Sequence, residues 1–244
     1  MEVYQLLRRG EYHADFCEDF SVVQPMGSGR WLCAVMDGCT MGRESHFAST
    51  LAAKIIRKVV KERQYQQFHE DISATSVQQE LVEIMAALFG EFQQARNYLL
   101  LDTNELLTTL VMALLDQNTG EVYGLAVGDA TVAINERITR FEQDNQPDYL
   151  AYHLGQHFEE WLAQHKQSFH STSCTNLGLA TDGIDSFQST DSSPSDTRAI
   201  AHYLLVDDEL TERSEMLNIK LKRLENRYSL VPMDDLAVVR IRLV

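Results

Sequence analysis

Apolar residues fall into two rhythms along the chain. Phe47, Ala48, Leu51, Ala52, Ile55, Ile56, Val59 and Val60 recur at helical intervals, which predicts a helix over 46–62 with one apolar face. Ser76 followed by Gln79 has the form of a capping box and opens a second helix over 77–96. Its buried side carries Val77, Leu81, Ile84, Met85, Leu88 and Phe92, and a polar connection, 66–75, separates the two helices. The rhythm then shortens. Leu106 to Leu115 and Glu121 to Val127 read as strands, with Asn118-Thr119-Gly120 as the turn of a hairpin. Gly128-Asp129 bends the chain, Ala130 to Ile134 resumes it, and Ile138 to Phe141 forms a further short strand. Leu150, Leu154, Phe158, Trp161 and Leu162 predict a helix from Asp148 to about Gln164, with Pro147 at its start. Ser168 to Thr181 is strand-like, and residues 185–197, DSFQSTDSSPSDT, read as a mobile loop or a long helix cap. Leu217, Leu221, Leu224 and Tyr228 mark a late helix, and Leu236 to Val244 a closing strand. Strands and helices cluster rather than alternate, so the expected class is α+β with antiparallel sheet, in one domain spanning 1–244.

Several strand-like runs border on carboxylates. The apolar run WLCAVM, Trp31 to Met36, drives into Asp37 and Gly38. Glu18-Asp19 lie between Phe16 and Phe20, Asp182-Gly183 follow Leu177 to Thr181, and Asp234-Asp235 precede Leu236 to Val239. One aspartate at a strand end is punctuation, and four unrelated turns would leave the same trace. If the strands share one edge, however, their carboxylates meet, and carboxylates in a partly desolvated site repel strongly. No Lys or Arg lies within these short motifs, so a metal is the natural counter-charge. Carboxylate, carbonyl and water ligands suit Mg²⁺, Mn²⁺ or Ca²⁺. Glycine at 38 would let its backbone carbonyl approach an ion closely.

Charge sharpens that reading. Acidic residues number 36 against 21 basic ones, for a formal net charge of −15. Such a field repels nucleic-acid phosphates and anionic membranes, and it does not repel divalent cations. At 244 residues and 44% hydrophobic, the chain has material for a sizeable core, and no run reaches the length of a bilayer span. The start, MEVYQLLRRG, does not read as a secretory signal. Cys17, Cys33, Cys39 and Cys174 form no CxxC pair, which argues against a zinc knuckle and for reduced thiols in a cytoplasm. Cys33 sits in an apolar run and is expected in the core.

Taken in order, CEDF, VMDGCTMG, AVGDAT, LATDGI and MDDLAVVRI resemble the motifs of the metal-dependent serine/threonine protein phosphatases of type 2C. The resemblance spans residues 8–243. It implies a four-layer αββα sandwich, two antiparallel sheets flanked by helices, with two Mn²⁺ or Mg²⁺ ions in a cleft at one end. By that resemblance Asp37 bridges both ions and the Gly38 carbonyl binds one. Asp182 and Asp234 complete the other ion's shell, and Asp37, Asp182 and Asp234 are the catalytic set. Glu18 and Asp19 act mainly through metal-held waters, and Asp129 matches a third, weaker metal position found in some members. The implied reaction is hydrolysis of phosphoserine or phosphothreonine by water acidified between two dications, with a phosphorylated protein as substrate and a cognate kinase as a candidate partner.

Departures from the family pattern mark a divergent, bacterial-type member. The arginine that commonly holds substrate phosphate is replaced by Ala14, with His13 or Arg8-Arg9 as candidate substitutes. Cys39 stands where many eukaryotic members have histidine; Thr40 and Met41 replace glycines, leaving Gly42; and Ala237 replaces Ser or Thr. These changes keep a second reading open, a pseudophosphatase that binds or senses. A zinc site at His153 and His157, with His165 and His170 beyond, lacks the glutamate of HExxH, and these histidines are expected to be solvated or structural. A nuclease or phosphodiesterase is disfavoured by the acidic balance.

Overall fold

The computed structural model describes residues 1–69, 75–143, 148–189 and 197–243. Among these, β1 (Glu2–Arg8), β12 (Leu236–Arg242), β9 (Asn176–Ala180), β6 (Ala130–Ile134) and β7 (Arg137–Phe141) form one antiparallel sheet in that spatial order. The second sheet runs β2 (Phe20–Gly27), β3 (Arg30–Met36), β4 (Leu110–Asp116), β5 (Val122–Val127) and β8 (Ser168–Ser171), also antiparallel. Helices α1 (Phe47–His69) and α2 (Val77–Leu99) cover the second sheet. On the outer face of the first lie α5 (Thr197–Leu205) and α6 (Met216–Tyr228). This is the expected four-layer α+β sandwich.

The unbroken apolar runs follow from burial on both faces of a strand. In β3, Leu32, Ala34 and Met36 pack under α1 and α2, while Cys33 and Val35 fill the space between the sheets. The same division holds in β4, where Leu110, Met112 and Leu114 face the helices and Val111, Ala113 and Leu115 face the opposite sheet. Each such side chain taken out of water contributes about 1.5–3 kcal/mol. β12 alternates likewise, except that the fully buried Arg240 takes an outer-face position. Its guanidinium is satisfied by Asn176, the Val206 and Asp207 carbonyls and Asp208.

Several boundaries differ from the sequence reading. α1 extends to His69, across part of the expected polar connection. Ser76 caps α2 by accepting the Gln79 amide at 3.1 Å, but the Gln79 side chain turns to Glu83, so only half of the capping box forms. The helix expected over 148–164 is two pieces, α3 (Leu150–His153) and α4 (Phe158–Gln164). The break falls at Gly155, a poor helix residue, and His157 is extended as the cap of α4; Pro147 lies outside the described residues. Ser168 to Thr181 divides into β8 and β9, which belong to different sheets. Within the expected loop or cap, 185–197, Phe187–Ser189 forms β10, paired with β11 (Leu230–Pro232); residues 190–196 lie outside the described set. β1 and α5 had no counterpart in the sequence reading.

Candidate functional site

Strand register brings the acidic motifs to one end of the sandwich. Phe20 pairs with Met36, so Asp19 before β2 and Asp37 after β3 emerge side by side. In the other sheet Ala180 is flanked by Val238 and Thr131, which sets the turn after β9, the residues before β12 and those before β6 next to one another. Asp182, Asp234 and Asp129 occupy those three positions. The carboxylates of Asp19, Asp37, Asp182 and Asp234 act on one another electrostatically, and Asp129 acts on Asp182.

Hydrogen bonds fix the backbone of this cluster. The Asp37 carbonyl accepts from Thr108 Oγ1 at 2.8 Å and from the Thr109 amide at 2.9 Å, while its own amide donates to Thr109 Oγ1 at 3.1 Å. Gly38 donates to the Glu18 carbonyl at 3.1 Å. A Cβ at Gly38 would stand 2.3 Å from the Ser45 carbonyl oxygen, and one at Gly183 only 1.8 Å from that of Asp235. Crowding by neighbouring backbone thus dictates glycine in both Asp-Gly motifs. Ser186 Oγ donates to the Gly183 carbonyl at 2.8 Å and accepts the Asp234 amide at 3.0 Å, which ties the turn bearing Asp182 to Asp234. From β7, Arg140 grips Asp185 in the same turn through two hydrogen bonds, of 2.9 and 2.8 Å.

Asp235, adjacent to the expected Asp234, has a different task. Fully buried, it accepts the Gly10 amide at 2.7 Å and the Glu18 amide, and so fastens the N-terminal connection to the start of β12. That connection carries His13, whose ring nitrogens lie 3.2 Å from Asp234, 2.9 Å from Asp235 and 3.5 Å from Glu18. The candidate substitutes for the missing arginine therefore separate. His13 faces the carboxylates, Arg8 is committed to Glu225 and Glu11, and Arg9 donates to the carbonyl of Ala14. Neither the His13 contact nor the role of Asp235 was visible in the motifs, because both depend on how the connection between β1 and β2 folds back.

Burial and mutual repulsion perturb the acids. Asp37 lies well above the ordinary carboxylate range, first through burial and then through the charges of Asp19 and Asp182. Asp19 is also raised, chiefly by burial. Asp182 reaches solvent along the cleft wall, yet the protein around it, then Asp234 and Asp129, push it up to about 6. Burial raises Asp129 as well. The buried Oδ1 atoms of Asp19 and Asp129 have no hydrogen-bond partner.

Among the described residues, no group of three or more His, Cys, Asp or Glu side chains is placed so that it could hold a metal ion. The donor set nevertheless fits a hard dication. Its acceptors are all oxygen, two are buried without donors, and the raised pKa values mark a site short of positive charge. The histidines expected to be solvated or structural serve elsewhere. His153 pairs with Asp148 at 2.6 Å, His165 packs on Trp161, and His170 stands 3.5 Å from Glu121. Cys39 is buried beside Tyr149. No described helix is long and apolar enough to cross a membrane.

Comparison with known proteins agrees with this arrangement. The family model described as Protein phosphatase 2C matches residues 8–219. A point variant of a bacterial serine phosphatase superposes with a TM-score of 0.67 at 14% identity, covering 100% of this chain and 99% of that one. RsbX in complex with magnesium gives 0.56 at 16% identity, over 98% and 92% of the two chains. The phosphatase domain of SpoIIE from Bacillus subtilis, with a fragment of its regulatory domain, gives 0.61 at 13% identity; the match covers 99% of this chain and 62% of that one. No curated protein matches significantly.

Proposed function

The chain belongs to the protein phosphatase 2C family, and from that premise we propose that it hydrolyses phosphoserine and phosphothreonine on proteins with Mn²⁺ or Mg²⁺ held by its acidic cleft. The observation that carries this reading is the convergence of Asp19, Asp37, Asp182 and Asp234 at one end of the sandwich. Asp37, Asp182 and Asp234, with Glu18, Asp19 and the Gly38 carbonyl, would hold two such ions, and Asp129, whose buried Oδ1 lacks a partner, would hold a third. Bound there, such ions would supply an acidified water to attack phosphorus and charge to offset the phosphoryl oxygens.

The protein's own contribution is positioning. Thr108 and Thr109 hold Asp37, Thr181 holds Asp19, and Ser186 fixes the spacing of Asp182 and Asp234. His13, beside Glu18, Asp234 and Asp235, could donate a hydrogen bond to an incoming phosphate. Residues 1–244 would work as one catalytic unit. The free thiols suit a reducing cytoplasm, and the natural counterpart is the kinase that makes the phosphoprotein.

Hydrolysis of p-nitrophenyl phosphate and of a phosphoserine peptide tests the reading. Turnover is expected with Mn²⁺, with none in EDTA or in Asp37→Asn and Asp182→Asn. The second reading, a binding module on the same fold, is favoured by Ala14, which leaves the cleft without the family's guanidinium. Phosphopeptide binding without turnover at any Mn²⁺ concentration would establish it.

A further inference from the structure

Beside the acidic cleft lies a cavity of about 400 Å³ whose walls include Glu142, Asp148, His153, Trp161, His165 and Gln167. It adjoins the cleft. The Asp148 carbonyl packs against Gly128, the Leu150 amide donates at 3.0 Å to the carbonyl of Thr108, and Asp129 feels the charges of both Glu142 and Asp148. An aromatic cluster backs the cavity: the ring of the buried Trp161 is tilted against those of His165, at 4.6 Å, and His153, at 5.8 Å.

Its walls mix donors, on Lys166, Gln156 and Gln164, with the carboxylates of Glu142 and Asp148, and two acceptor atoms lack partners. His153 Nε2 meets Asp148 Oδ1 at 2.6 Å, so in the neutral ring Nδ1 is an acceptor, and that atom is buried without a partner. Gln167 Oε1 is likewise buried and unpartnered. Glu142 is exposed and feels the charge of Arg140, whose guanidinium hydrogen-bonds Asp185 instead. Lys166, on the same wall, is exposed, and its flexible stem leaves the ammonium free to stay in water.

Carboxylates, unsatisfied acceptors and an aromatic ring together are the chemistry that recognises a cation rich in N–H donors. We propose that this cavity receives an arginine or lysine side chain of the phosphoprotein substrate, from a residue flanking the phosphorylated one. The inference rests on the phosphatase reading for the position of the phosphate, and it narrows the substrate class to basic phosphorylation sites.

The test measures fluorescence anisotropy of labelled phosphoserine peptides, with Mn²⁺ present, on the full chain. The peptides differ only in carrying arginine, norleucine or glutamate at the flanking positions. Arginine peptides are expected to bind about 10-fold tighter than norleucine ones, an advantage reduced in Glu142→Gln and abolished in Glu142→Lys. Equal binding of arginine and norleucine peptides by the wild type overturns the inference, as does a preference that survives Glu142→Lys or a failure to bind any of them. Wild-type turnover of p-nitrophenyl phosphate is measured separately. Arginine preference without turnover removes the catalytic reading and leaves the cavity; turnover without preference removes the cavity alone.

Discussion

Thr181 Oγ1 donates a 2.6 Å hydrogen bond to Asp19 Oδ2, and both residues are buried. The bond joins the end of β9 in one sheet to the start of β2 in the other. The same hydroxyl accepts the Ala237 amide at 2.9 Å. Thr181→Val keeps the shape and strips both contacts, leaving a buried carboxylate and a buried N–H unpaired. It is expected to destabilise the protein by about 2–4 kcal/mol, read as the change in urea midpoint at constant slope.

Stability without metal should fall as pH rises. Asp182 titrates at about 6 in the folded protein against an ordinary value of 3.8, and Asp37 and Asp19 are also raised. The folded state therefore binds more protons than the unfolded one. That contribution is fully present below about pH 4 and is lost as pH climbs through the folded values. Melting temperature in EDTA is expected to decline from pH 5 to pH 8, with the decline smaller in Asp182→Asn. Mn²⁺ should recover the loss, and more at pH 8 than at pH 5, because the ion competes with protons for the same oxygens. A flat profile in EDTA would contradict the account of the cleft.

Asp37→Asn separates stability from activity. Removing a carboxylate that is repelled by Asp19 and Asp182 should raise the melting temperature of the metal-free protein, by about 2–4 °C for each kcal/mol of repulsion relieved. The same change should lower phosphopeptide hydrolysis by about 100-fold or more. Calorimetry in EDTA and a Mn²⁺-dependent rate assay check the two halves.

Arg140 reaches Asp185 with both guanidinium arms, yet the pair is partly exposed, with side chains 24% and 35% accessible. Arg140→Ala should cost less than about 1 kcal/mol of stability. Loosening the turn that carries Asp182 should weaken Mn²⁺ binding by about 10-fold, measured by titration calorimetry. Arg140→Lys, which cannot form the fork, should recover little of it.

Much of this protein was legible before folding was considered. The burial of β3 and β4 followed from their unbroken apolar runs, the start of α2 from Ser76, and the hairpin from Asn118-Thr119-Gly120, because each depends on residues close in sequence. The acidic motifs and their order also gave the family. What escaped was decided by distant partners. β1 is a strand because β12 pairs with it along its whole length. α5 adjoins a Ser-Asp-rich stretch that reads as loop or helix cap, and its apolar residues acquire meaning only against the face of β9.

The sequence alone determined which residues could attract a dication: oxygen donors at strand ends, each with a glycine or second acid beside it. It left open whether they meet, since four turns on different faces would have the same local chemistry. Tertiary structure decided that, through antiparallel registers that set Phe20 beside Met36 and Ala180 between Val238 and Thr131. It also divided the labour between Asp234, which faces the cleft, and Asp235, which anchors Gly10 and Glu18. Neighbours in the chain have nearly identical surroundings in sequence, but in the fold one carboxylate reaches solvent and the other is sealed among backbone amides.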